Sequence, residues 1–100
     1  MDPSTYARLE ELIRTMREPK DWVGELNILM ELMEKLNSSG KSTTVRAMAK
    51  ITNKSKSWIG MSTILAQGMK TYPEISSCAN RNEAYLYLQR KRKMRRFLES

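Results

Sequence analysis

One hundred residues support one domain with a modest core, and 40% hydrophobic with 29% charged residues is the balance of a globular chain. No apolar run approaches the ~20 residues of a membrane span, and the acidic, polar start MDPSTYARLEEL is not a secretory signal. The net charge of +7 is unevenly spread: residues 1–40 hold five Lys/Arg and eight Asp/Glu, residues 41–100 thirteen and three.

The first helix is expected from Asp2-Pro3, with Asp as cap and Pro at the first helical position. Leu9, Leu12, Ile13 and Met16 form its apolar stripe, and Pro19 ends it. Asp21 caps a second helix to about Leu36, with Val23, Leu26, Leu29, Met30, Met33 and Leu36 at helical spacing. Asn37-Ser38-Ser39-Gly40 stops it. A short third helix, residues 43–51, is capped by Ser42 or Thr43 and turns Val45, Met48 and Ala49 inward. Thr52-Asn53-Lys54 is a tight turn, with Asn53 suited to the left-handed conformation. Ser55 caps a fourth helix to Lys70, whose inward candidates are Trp58, Ile59, Leu65, Ala66 and Met69. Tyr72-Pro73 ends it. After PEISSCA, Asn80-Arg81-Asn82-Glu83 reads as a capping box. The last helix carries Ala84, Tyr85, Leu88 and the run RKRKMRR. The chain is therefore expected to be all-α, one domain of about five helices: acidic N-terminal helices over 1–40, a helix-turn-helix over 41–72, and a basic helix over 80–100. The initiating Met and capped first helix favour a whole protein.

Gly40-Lys41-Ser42-Thr43 looks like half of a phosphate-binding loop. That loop needs an earlier glycine, where this chain has Lys35, and a preceding strand, where this chain has helical spacing. The segment reads instead as a helix C-terminus, a turn and a new helix start. The absence of histidine removes the usual metal sites and hydrolytic triads. Cys78 stands alone, reads as inert, and is consistent with a reducing setting. Nothing singles out a pair of catalytic carboxylates. No catalytic residue, metal or cofactor is expected, and the protein is not read as an enzyme.

From Lys41 to Lys70 there are six basic residues and no acidic one, which suggests a polyanion partner. A short helix, a three-residue turn and a second helix is the helix-turn-helix pattern. On that reading Ser55, Lys56, Ser57, Gly60 and Met61 stand at the start of the groove-entering helix. The short Ser and Lys side chains can reach base edges or phosphates, and Gly60 lets the backbone lie close to the duplex. Lys41, Thr43, Thr44, Lys50 and Lys54 are assigned to phosphates. So is the tail: Arg90, Lys91, Arg92, Lys93, Arg95 and Arg96. Its alternative is a merely solvated charged face. Tyr85, Tyr87 and Phe97 read as core or dimer contacts, and the eight methionines as adaptable core filler.

VRAMAKITNKSKSWIGMSTILAQGMKTYPEI resembles the helix-turn-helix region of ParB-like proteins of phages and plasmids, and the similarity continues through TYPEISSCANRNEAYLYLQR. It covers about residues 21–90. The resemblance implies an all-α domain that binds duplex DNA, often as a dimer on a partly symmetric site. This chain has Asn53 where the family usually has Gly, and Gly60 where it often has Ser. The arginine-rich motif of the family's nucleotide-binding N-terminal domain does not occur, so nucleotide-dependent loading is not carried over.

The expected function is double-stranded DNA binding, in transcription regulation or phage or plasmid DNA maintenance. The expected form is a homodimer, cytoplasmic and nucleoid-associated in a bacterial, archaeal or virus-infected cell, without membrane contact. Two rivals stand beside it. One is a non-enzymatic protein-binding adaptor whose acidic N-terminal helices and basic tail contact a host or viral enzyme and modulate it; the other binds RNA or single strands through the basic tail with Tyr85 and Tyr87.

Overall fold

The computed structural model describes residues 2–18 and 21–99. Those residues are all-helical: α1 (Pro3–Met16), α2 (Trp22–Ser38), α3 (Val45–Thr52), α4 (Lys56–Thr71), a short 3-10 turn (Pro73–Ser77) and α5 (Arg81–Glu99). The stop expected at Pro19 lies outside the described residues.

A side-chain cap satisfies one of the orphan amides at the start of each α-helix. Asp2 accepts from the Ser4 amide, and Pro3 fills the first position of α1. Asp21 accepts from Gly24 N at 2.6 Å, and Ser55 Oγ accepts from Trp58 N at 3.0 Å. The cap of α3 is Thr44, not Ser42 or Thr43: Thr44 Oγ1 accepts from Ala47 N at 3.2 Å. At α5, Asn80 Oδ1 accepts from Glu83 N at 2.8 Å. The returning Glu83 carboxylate accepts from the Ala79 amide at 3.3 Å, one residue before the position a capping box uses.

Gly40 answers the phosphate-loop question. It has φ +74°, beyond the end of α2. Lys41 N donates to Leu36 O at 2.9 Å and Gly40 N to Asn37 O at 3.1 Å. This is a Schellman stop, which spends the loop amides on the carbonyls of α2.

Two apolar clusters hold the helices together. In the first, Leu9, Leu12 and Met16 of α1 meet Leu29, Leu32 and Leu36 of α2, with Met48 of α3 and Ile59 of α4. In the second, Leu26 of α2 meets Leu65 and Ala66 of α4, Ile75, and Ala84 and Leu88 of α5. The helices α2 and α4 run through both clusters and tie them together. Each fully buried Leu or Ile contributes about 1.5–3 kcal/mol relative to exposure.

Val45 departs from its expected inward orientation and is 42% exposed. It occupies the first turn of α3, and the core is covered only from Met48 onward. Thr52 is buried there, its hydroxyl satisfied by donation to Met48 O at 2.7 Å. Trp58 and Met69 reach the clusters only partly buried, whereas Ile59, Leu65 and Ala66 are buried.

Candidate nucleic-acid interface

The link between α3 and α4 is three residues long, Asn53-Lys54-Ser55. Asn53 takes φ 59°, ψ 30°, the left-handed conformation that lets α3 end abruptly. Ile59, fully buried with Met48 beneath the turn, fixes where α4 begins.

The start of α4 is tied down by a cluster from four elements. Arg81, in the first turn of α5, donates from Nη2 to Ser62 Oγ at 2.7 Å and to Trp58 O at 3.2 Å. Its guanidinium lies 4.5 Å from the centroid of the Trp58 ring, a cation–π contact. Lys54 Nζ lies 5.1 Å from the same centroid and 3.7 Å from Glu25 of α2. Burial lowers the Arg81 pKa, and nearby Glu25 works in the opposite direction. Ser62 is fully buried, so its hydroxyl depends on Arg81 as a partner. Trp22 anchors the far side by donating from Nε1 to Cys78 O at 3.0 Å. The Cys78 thiol itself is held above its ordinary pKa, first by burial and then by Glu83.

One face of α4 is left outward. Lys56, Gly60, Thr63, Gln67 and Lys70 follow one another at helical spacing, each exposed or half-buried. A Cβ at Gly60 would meet nothing within 4 Å, so the middle of this face is backbone beside open solvent. No carboxylate lies on α4.

The expected base-contact residues divide in two. Lys56 and Ser57 stand exposed on the first turn, with Gly60 behind them. Ser55 is exposed too, but its hydroxyl accepts the Trp58 amide. Met61 is half-buried against the second cluster. Of the expected phosphate contacts, Lys41 and Lys50 are exposed and Thr43 half-buried, while the Thr44 hydroxyl caps α3. Lys54 is engaged by Glu25 and Trp58.

The basic run lies on α5 beyond Leu88, the last buried residue of that helix. Arg90, Arg92, Lys93, Arg95 and Arg96 are exposed. Lys91 is half-buried, with Nζ 5.5 Å from the Tyr87 ring centroid, and Arg95 pairs with Glu99 at 3.0 Å. Tyr85 and Tyr87 pack on the second cluster, while Phe97 is 80% exposed.

The anchoring contacts of Arg81 and Ser62, and the place of Gln67 on the outward face of α4, were not foreseen from the sequence. Gln67 was legible in principle, since it shares the helical phase of Lys56 and Gly60. The pairing of Arg81 with Trp58 and Ser62 spans 23 and 19 residues, and no local pattern signals it.

Comparisons with protein-family models, with curated proteins and with solved structures each returned no match.

Proposed function

We propose that this protein binds double-stranded DNA, with the outward face of α4 entering the major groove and Lys56 and Ser57 leading. The observation that carries this reading is the carboxylate-free α4 face, flat at Gly60 and bounded by Lys56 and Lys70. It follows the short helix α3 after a three-residue link. A groove-docking helix needs this combination: cations to replace condensed counterions, short polar side chains for base edges, and no bulk where backbone meets duplex. The positive end of the α4 dipole adds to the attraction for phosphate. On this reading the exposed cations of α5 extend the phosphate contacts, and the protein acts in transcription control or in maintenance of phage or plasmid DNA.

A second reading gains support from α5. Its cations lie on all sides of a helix end beyond the last buried residue, a form equally suited to single strands or RNA.

Fluorescence anisotropy with a random-sequence duplex and a matched single strand, over a series of salt concentrations, separates the two. The duplex is expected to bind more tightly, with affinity falling steeply as salt rises. Lys56→Glu is expected to remove duplex binding, and deletion of residues 90–100 to weaken it more mildly. Absence of binding to either probe at low salt would overturn nucleic-acid binding. Single-strand preference lost with the tail, and indifferent to Lys56→Glu, would favour the second reading.

A further inference from the structure

Away from the α4 face, α1 and α3 enclose a groove of about 460 Å³. Its floor is apolar, with Leu9 and Ile13 from α1, Leu36 from α2, and Ala47 and Ile51 from α3. Tyr6 lines it while remaining 57% exposed, one of the few large apolar side chains the fold leaves in solvent. Glu10, one helical turn after Tyr6, lines the α1 side and Lys50 the α3 side, while Lys41 and Ser42 line the end between α2 and α3. Glu10, Lys41 and Lys50 are all exposed.

We infer that this groove is the interface between two copies of the chain. The two walls of the groove are complementary to each other in charge. A two-fold axis requires that if residue i of one copy meets residue j of the other, then j meets i. The groove carries both members of such a pair: Glu10 on one wall faces the partner's Lys50, and Lys50 faces the partner's Glu10. Tyr6 of each copy then fills the other's apolar groove and loses its exposure to water. A purely anionic partner would meet Lys41 and Lys50 but would leave Glu10 opposed and the apolar floor unfilled. A strongly charged peptide of either sign would leave one of the two walls opposed. The assignment draws Lys50 away from the phosphate contacts and gives it to the partner's Glu10. Because α3 forms one wall of the groove and also begins the α3–turn–α4 unit, the axis would relate two α4 faces. That last consequence alone rests on the duplex-binding reading.

A charge swap tests the interface without DNA. Sedimentation velocity at low salt is expected to show a dimer for the wild type. Glu10→Lys and Lys50→Glu, each at an exposed position, are expected to weaken dimerisation by at least about tenfold, because each homodimer sets like charges opposite one another twice. An equimolar mixture of the two variants should recover the dimer, since both contacts in the mixed pair are then of opposite sign. Tyr6→Asp should be monomeric and should not recover in either mixture. Circular dichroism confirms that each variant is folded. A wild type that stays monomeric to about 100 µM, well above the micromolar range of ordinary weak interfaces, overturns the proposal. So does a dimer that ignores all three substitutions, or a mixture that fails to recover. None of these outcomes bears on whether α4 binds a duplex.

Discussion

Arg81 covers the ring of Trp58 at 4.5 Å while donating to the carbonyl of the same residue at 3.2 Å. A single side chain from α5 thus holds the first turns of α4 by its ring, its backbone and, through Ser62, its next turn. Arg81→Ala would leave the buried Ser62 hydroxyl and the Trp58 carbonyl without this donor. The expected cost is about 1.5–3 kcal/mol, the range for hydrogen bonds to a charged group. Arg81→Lys keeps a cation but loses the planar fork, and should fall between the two. Urea denaturation of the three proteins checks the order, and an alanine variant as stable as wild type would remove the anchoring role.

The two helical glycines of α4 should respond in opposite directions. Gly60→Ala places a methyl in open space, and should stabilise the fold by about 0.5–1 kcal/mol through helix propensity alone. A Cβ at Gly68 would stand 2.7 and 2.8 Å from the Leu88 methyls. Leu88 is itself buried, so Gly68→Ala should lose more to overpacking, about 1–3 kcal/mol, than propensity returns. Thermal denaturation reads both. If the α4 face docks on a duplex through its backbone at Gly60, the more stable Gly60→Ala protein should bind DNA less tightly, separating stability from binding.

Asn53 is the only non-glycine residue with positive φ among the described residues. Asn53→Ala should cost about 1 kcal/mol, the penalty of a Cβ in the left-handed region. Asn53→Gly should be close to neutral, because relief of strain is offset by a more flexible unfolded chain. Equal unfolding midpoints for the alanine and glycine variants would show that the turn does not depend on this conformation.

Arg8 and Glu31 form a two-pronged pair between α1 and α2, at 2.7 and 2.8 Å. The hydrogen bonds from Arg8 hold the Glu31 carboxyl below its ordinary pKa of 4.5. A carboxyl whose folded pKa is depressed stabilises the fold fully above its unfolded pKa, and the contribution is lost as pH falls through the folded value. Wild type should therefore exceed Glu31→Gln in stability at neutral pH, and the difference should close on acidification. Urea midpoints of both proteins at pH 7 and at successively lower pH test this. A constant difference would show that the pair acts through packing rather than charge.

Much of the architecture follows from local chemistry that sequence displays. The caps at Asp2, Asp21 and Ser55, the stop at Gly40 and the turn at Asn53 act within four residues of themselves. Their residue types therefore predict where helices begin and end. The stripes through Leu9, Leu12 and Met16, and through Leu26, Leu29 and Leu36, follow from the helical period, which fixes faces without reference to neighbours. The crowding of positive charge into residues 41–100 is likewise a property of the chain alone.

What those faces meet was decided only in three dimensions. Sequence phase turned Val45 inward, but no neighbouring element covers the first turn of α3. It made Lys54 a candidate for phosphate but did not show that Glu25 and the Trp58 ring lie beside it. It read Arg81 as one letter of a helix start, and the approach of α5 to α4 made it the partner of Trp58 and Ser62. The groove that joins Tyr6, Glu10 and Lys50 exists because α1 and α3 close on the end of α2. Periodicity sets the direction of a side chain about its own helix axis. Contact depends on where the other axes lie, and packing across about 20 to 40 residues of intervening chain sets that.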